Sequence, residues 1–367
     1  MTKVKVQFSV IFKDITGEEK KEIDLSGKTI RDLLEELIDR YGPEFKERII
    51  DPETGQSRQF INIFKNGNNI KTISGIETKI EKGDEIRLIP SVAGGKDEFG
   101  FTEDQIVRYS RQIVLPQVGG KGQKKLRDGK ILVVGAGGLG SPALLYLASA
   151  GIGKIGIVDD DKVELSNLQR QIIHKEDSLG KPKVKSAEKS INEINSEVNV
   201  VTYNQRINSE NAHDIVKNWD FVIDGSDNFP TKFLINDVCV LEEIPFSHGG
   251  ILRFTGMATT ILPGEGPCYR CFTPEAPPTD AVPSCQEAGV LGVLPGIIGS
   301  IQANEAMKYL LEVGELLTNR MLYLDSLELR FEQFEYSNNP KCPICGKNSK
   351  INDVSNVEYD ETCEVRF

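Results

Sequence analysis

Long apolar runs are missing from this sequence. No stretch approaches the roughly 18 uninterrupted apolar residues that span a bilayer, and the opening MTKVKVQFSV alternates polar with apolar instead of forming a signal-peptide core. A cytoplasmic protein with no membrane partner is therefore expected. Basic charge is also short: 44 Lys and Arg stand against 55 Asp and Glu, a formal charge of −11. Without a basic stripe to displace phosphate counterions, nucleic acid is not expected as the main partner. Histidine is scarce, and His174, His213 and His248 are scattered, none at ligand spacing from cysteine or carboxylate. They read as structural or surface residues. Internal repeats and low-complexity tracts are absent too. The 39% apolar and 27% charged content is ordinary for a globular chain. Its 367 residues suffice for two domains, or for one large α/β domain with an appendage.

Residues 1–95 read as a small α+β unit. Val4, Val6, Phe8 and Val10 alternate with polar residues, as in a half-buried strand, and Ile23 and Leu25 continue the pattern after the turn signal at Gly17. Ile30, Leu33, Leu34, Leu37 and Ile38 share one helical face, which Gly42-Pro43 terminates. Short strands follow near 60–64 and 85–89, giving a sheet that clasps one helix. The segment ends in Val92-Ala93-Gly94-Gly95, and 96–101 is a short polar linker. Two glycines remove both Cβ atoms, so the backbone either threads a narrow channel or serves only as a flexible connection. The element order, the length and the V-A-G-G ending resemble the MoaD/ThiS sulfur carriers, β-grasp relatives of ubiquitin. That resemblance implies action through the carboxylate of the last glycine.

The second unit, 102–347, opens with a buried-strand signal at 130–134 leading into Gly135-Ala136-Gly137-Gly138-Leu139-Gly140 and a helical stretch, 143–150. Another strand, 155–158, ends at Asp159. This βαβ start predicts a Rossmann-like, doubly wound, mostly parallel α/β sheet. Further strands are expected at 198–203, 221–224, 256–261 and 321–324, and an apolar helix within 290–311. Gly135, Gly137 and Gly140 satisfy G-x-G-x-x-G in the required context, where bare backbone N–H groups and a helix N-terminus face a phosphate. Asp159 is placed to accept hydrogen bonds from ribose hydroxyls. Taken alone, the fingerprint favours a dinucleotide dehydrogenase, an NAD-dependent oxidoreductase. Arg170 and Lys183, which follow, favour attack on the α-phosphate of ATP, because charge developing on phosphate and departing pyrophosphate needs cations. Individually, a solvated surface charge is the commoner fate of either residue. Asp224-Gly225-Ser226-Asp227-Asn228 adds a carboxylate suited to hydrated Mg²⁺.

Together these motifs resemble the MoeB/ThiF family, relatives of ubiquitin-activating enzymes. The matching text is R-Y-S-R-Q-I at 108–113, G-A-G-G-L-G-S at 135–141, L-A-S-A-G-I-G at 147–153, S-N-L-Q-R-Q within 159–171, G-K-P-K-V at 180–184 and D-G-S-D-N at 224–228. The resemblance covers roughly 103–347. It implies that Gly138, Asp159, Ser166, Asn167, Leu168, Gln169, Arg170, Lys183, Asp227 and Asn228 bind ATP or its metal. It also implies that Arg111 reaches the phosphates from the partner subunit of a homodimer.

Of the seven cysteines, Cys268 and Cys271 form one C-x-x-C knuckle, and Cys342 and Cys345 another. In a chain without a secretory signal this favours metal over disulfides. Two knuckles complete a tetrahedral Cys₄ site, closed and hence structural zinc. A redox pair would sit at a helix N-terminus, which neither knuckle clearly does. The MoeB/ThiF pattern agrees with zinc. Cys285 lies in a polar, proline-containing stretch, and by resemblance matches the crossover-loop cysteine assigned thioester or persulfide chemistry in the family. Cys239 reads as core, and Cys363 lies in the polar tail, 348–367, which carries no functional signal.

The expected reaction begins with a carrier's terminal carboxylate, already ionised at neutral pH, attacking the α-phosphate of MgATP. An acyl-adenylate and pyrophosphate result, in preparation for a thiocarboxylate. No stretch remains for a rhodanese-type domain, so a separate sulfur donor is expected. Gly95 is bonded to Lys96, so residues 1–95 serve as substrate only after cleavage there; otherwise they regulate or recruit.

Overall fold

A computed structural model describes residues 2–8, 10–52, 54–55, 57–58, 61–90, 99–275 and 289–359. The chain divides into two compact units, Met1–Gln123 and Lys124–Phe367. Among the described residues, no helix is long and apolar enough to cross a membrane.

In the first unit, β1 (Thr2–Phe8) pairs antiparallel with β2 (Lys20–Leu25). Between them lies a helix, α1 (Val10–Thr16). Strand alternation predicts extended chain through Val10, but the chain leaves the sheet after Phe8. The helical turn buries Phe12 against Phe45, ring centroids 5.3 Å apart. Next come α2 (Ile30–Tyr41) and α3 (Pro43–Ile49). Thr29 caps α2 reciprocally with Asp32, satisfying donors that the first turn leaves unpaired. β3 (Ile61–Lys65), β4 (Asn68–Asn69) and β5 (Glu85–Pro90) complete the order β2-β1-β5-β3-β4, with β5 parallel to β1. Ile30, Leu33, Leu34 and Leu37 of α2 are buried in one cluster with Val4, Val6, Ile63 and Leu88 of the sheet. Helix α4 (Glu103–Ile113) follows in this unit, and the boundary between units falls inside α5 (Gly119–Asp128).

The second unit is built on eight strands. β6 (Lys130–Val134), β7 (Lys154–Val158), β8 (Asn199–Tyr203), β9 (Phe221–Asp224) and β10 (Phe246–Leu252) are parallel. β11 (Thr255–Ile261), β12 (Arg320–Asp325) and β13 (Arg330–Glu335) extend one edge antiparallel, giving the order β13-β12-β11-β10-β9-β6-β7-β8. The sheet is thus more mixed than the glycine motif predicts. β10 escapes notice in the sequence because its centre is His248-Gly249-Gly250, where Gly249 makes room for Gln302. β13 escapes because its side chains are mostly exposed.

Side chains alternate between two helix layers. Ile131, Val133, Ile155 and Ile157 face α6 (Gly140–Ala150), α7 (Lys183–Ile194) and a long helix over Val293–Leu311. Leu132, Val134 and Val222 face α8 (Ala212–Val216) and α9 (Phe229–Leu241). Ile351, Val354 and Val357 of the polar-looking tail are buried in that second cluster. Nine consecutive residues of α9, Thr231–Cys239, are buried, which erases the amphipathic period a sequence reading relies on.

Candidate active site

β6 has β7 on one side and β9 on the other, so the chain's direction of progress along the sheet reverses there. In open α/β sheets, the crevice beyond the strand ends at such a point is where ligands bind. The glycine turn lies at the end of β6. Gly135 has φ +95°, and a Cβ on Gly140 would fall 1.8 Å from the Gly135 carbonyl oxygen, so side chains at these two positions are excluded by the backbone itself.

Two side chains hold the turn by hydrogen bonds, and two more lie over it. Asp159, ending β7, accepts from the Ala136 N–H through Oδ2 (2.8 Å) and from Asp161 N–H through Oδ1 (2.9 Å). Burial pushes the Asp159 pKa up, and Lys183 offsets this in part. His174 is buried, with Nε2 2.9 Å from the Ala136 carbonyl and Nδ1 2.9 Å from Ser186 Oγ. Burial pushes its pKa down to about 4, so the ring is neutral, donating to Ala136 and accepting from Ser186. Gln171 lies over Gly137: a Cβ there would stand 3.7 Å from Gln171 Nε2. Arg170 lies over Gly138, its Cδ 3.8 Å from the equivalent Cβ position. Turns closed by Arg170 N–H and Gln171 N–H on the Asn167 carbonyl bring the segment alongside the glycines.

The predicted residues gather here unevenly. Lys183, nearly buried, forms a 2.7 Å ion pair with Asp161 beside Asp159. Arg170 is half-buried, and its Nη1 donates to the Ser166 carbonyl at 3.0 Å. Asn167 is buried and accepts from Glu164 N–H, which fixes the start of the segment; Ser166 and Gln169 are exposed, and Leu168 is half-buried. Across the crevice, Asp227 is exposed at the end of β9 and Asn228 caps α9 through Thr231 N–H, 2.9 Å. Arg111 is on the exposed side of α4, in the first unit. Gly94, Gly95, Cys285 and Cys363 lie outside the described residues.

Sequence reasoning missed the polar network beneath Asp227. Asp224 is fully buried and accepts from His248 Nδ1 (2.8 Å), Ser226 Oγ (2.5 Å) and Lys232 Nζ (3.3 Å). Burial would push its pKa up, but the Lys232 ammonium and these hydrogen bonds hold it below the usual carboxylate range. Lys232 also donates to the Gly249 carbonyl at 2.6 Å. The only signal was Lys232 one turn after Asn228, easily taken for a surface charge.

The four sulfurs of Cys268, Cys271, Cys342 and Cys345 lie within 4.8 Å of one another, and none is in a disulfide. Separations of 3.4–3.6 Å suit a tetrahedron around an ion with bonds of about 2.3 Å, so the donor set fits structural zinc. Cys239 is buried in the core.

The ThiF family model matches residues 109–344, well over half of the sequence. The chain belongs to the ThiF family. The ThiS family model matches residues 6–95, so the ubiquitin-like unit described above is of ThiS type. The chain is 49% identical over 261 residues to the SAMP-activating enzyme E1 of Haloferax volcanii, covering 71% of this chain and 96% of that one. It is 45% identical over 271 residues to the sulfur carrier protein adenylyltransferase of Thermus thermophilus (72% and 99%). The adenylyltransferase and sulfurtransferase MOCS3 of Arabidopsis thaliana is 43% identical over 296 residues, and this ThiF-family chain spans 64% of its length. Among solved structures, E. coli MccB matches with TM-score 0.61 at 24% identity, covering 71% of this chain and 76% of that one, which shows a shared fold.

Proposed function

We propose that this chain is an adenylyltransferase that transfers AMP from ATP to the C-terminal glycine carboxylate of a ubiquitin-like sulfur-carrier protein. The observation that carries the reading is the gathering of Lys183, Arg170 and Asp159 around a glycine turn at the sheet's switch point. It stands in a chain 45% identical to a sulfur carrier protein adenylyltransferase over nearly all of that protein. The oxidoreductase reading finds no support: the matching relatives named above are an activating enzyme and adenylyltransferases.

A carboxylate is a poor acyl donor because it has no good leaving group, and AMP supplies one. The carrier's carboxylate oxygen attacks the α-phosphorus, the bond to the β-phosphate oxygen breaks, and pyrophosphate leaves with that electron pair. Asp159 orients the ribose. Lys183 and Arg170 stabilise charge on the phosphates, Lys183 exchanging part of its pairing with Asp161 for the ligand. Asp227, an exposed oxygen donor beside Asn228, would hold Mg²⁺, which supplies charge neutralisation on the phosphates. Arg111 reaches the phosphates from the second subunit of a homodimer. Cys285 takes part in converting the adenylate to a thiocarboxylate with sulfur from a separate donor. Zinc is structural, since four thiolates leave no open position.

The carrier is residues 1–95 of the chain itself, released by cleavage after Gly95, or a separate protein of the same kind. ATP labelled at the α-phosphate tests the reaction: with a Gly-Gly-ending carrier, label is expected on the carrier, whereas γ-label is not. Absence of α-label from every such carrier overturns the reading. Intact mass of the protein from its host tests processing; uniformly full-length, active chains count against it.

A further inference from the structure

Asp224 and Asp227 stand three residues apart in one motif, but the structure separates them. Asp227 is exposed at the crevice, whereas Asp224 is fully buried and each of its carboxylate oxygens already accepts two hydrogen bonds. A carboxylate so filled has no lone pair left for a metal or a nucleotide.

Its two oxygens divide their partners. Oδ2 accepts from His248 Nδ1 and Lys232 Nζ, which belong to β10 and α9. Oδ1 accepts from the Ser226 N–H at 3.1 Å and from Ser226 Oγ at 2.5 Å, inside the loop that leads to Asp227. The corner itself is tied down from the long helix, where Gln302 Nε2 donates to the Asp224 carbonyl at 2.8 Å and to the Ser247 carbonyl at 3.0 Å. On its other side the loop abuts the glycine turn. The Gly225 N–H donates to the Val134 carbonyl at 2.9 Å, and a Cβ on Gly135 would meet the Gly225 carbonyl oxygen at 2.7 Å. We propose that Asp224 is a positioning residue for the reaction: it clamps Ser226 to the β9–β10 scaffold, which holds the neighbouring Asp227 at the crevice for Mg²⁺. The inference rests on the assignment of Mg²⁺ to Asp227 in the adenylation reading. His248 and Lys232 keep Asp224 oriented, and Ser226 is the connecting piece.

The test measures equilibrium binding of ATP to the full-length protein with magnesium and with a chelator in its place. The ratio of the two affinities is the magnesium gain, and Asp227→Asn is expected to lose most of it. Asp224→Asn is nearly isosteric, and Ser226→Ala leaves the pairing of Asp224 with Lys232 and His248 in place. Both are expected to weaken magnesium-ATP binding about tenfold, the lower end of what losing the support of a metal ligand costs, with magnesium-free binding unchanged. Adding Asp227→Asn to either variant is expected to cost little more than Asp227→Asn alone, because both changes act through one carboxylate. If Asp224→Asn does not fold, Ser226→Ala carries the same comparisons. A buried carboxylate that served the fold alone would lower the thermal midpoint yet leave the magnesium gain of the folded protein at its wild-type value. That result overturns the inference, as do equal weakening with and without magnesium and additive losses in the double variants. A magnesium gain that survives whole in Asp227→Asn overturns the metal assignment and the inference with it, while AMP transfer to a carrier remains the separate test of adenylation.

Discussion

Arg270, inside the first cysteine knuckle, grips Asp237 of α9 with two 2.7 Å hydrogen bonds, and both side chains are fully buried. Tyr359 donates to the same carboxylate at 2.7 Å, and the neighbouring Asn236 accepts from Tyr269 N–H. Because Asn228 caps the other end of α9, one helix joins the zinc knuckles to the crevice. Removing one partner of a buried pair strands the other charge, at about 3–5 kcal/mol. Asp237→Ala is therefore expected to lower the thermal midpoint and to speed zinc loss to a chromogenic chelator. An unchanged midpoint contradicts this.

The glycines of the turn differ in what they tolerate. Gly140→Ala would push a Cβ into the Gly135 backbone, so destabilisation of at least the ~1–3 kcal/mol typical of overpacking is expected. Gly137→Ala meets nothing nearer than 3.7 Å and is expected to keep the wild-type midpoint. Circular dichroism melts of the two variants make the comparison.

His174 gives stability a pH dependence with a definite sign. Its folded pKa, about 4, lies below the ordinary 6.5, so the unfolded chain binds the extra proton first as pH falls. The stability is fully present above pH 6.5 and is lost as pH drops toward 4. In His174→Gln this component of the slope is expected to vanish. Urea melts between those pH values read it directly, and an unchanged slope contradicts the assignment.

Lys183 is nearly buried, and its side chain pairs with Asp161 only through the ammonium at its end, 2.7 Å away, so a shorter side chain cannot substitute. Lys183→Ala is expected to lower adenylation about 10²–10³-fold, the scale of losing a charge stabiliser in the transition state, with the midpoint little changed. Single-turnover AMP transfer separates the two effects.

Much of this site was legible in the sequence because its chemistry depends on backbone and on contiguous motifs. Gly135 and Gly140 are required sterically, and Asp159 ends a recognisable strand. The two cysteine knuckles also announce a metal at sight. Long-range polar partnership was not legible: Asp224 meets His248 and Lys232 only once β9 and β10 pair, and Asp237 meets Arg270 only when the knuckle docks. The helix α1 was hidden for another reason, since Val10 happens to continue the strand period while Phe12 is drawn to the aromatic cluster of Phe45. The tail looked featureless because Ile351, Val354 and Val357 are buried singly among polar neighbours.

Carrier-dependent ATP–pyrophosphate exchange tests the central claim most directly. The full-length enzyme is given magnesium and a separate protein comprising residues 1–95 and ending in the free carboxylate of Gly95. Labelled pyrophosphate is expected to enter ATP only when that protein is present, and not when its last glycine is removed. Exchange indifferent to the carrier, or absent with every Gly-Gly-ending carrier, contradicts the account.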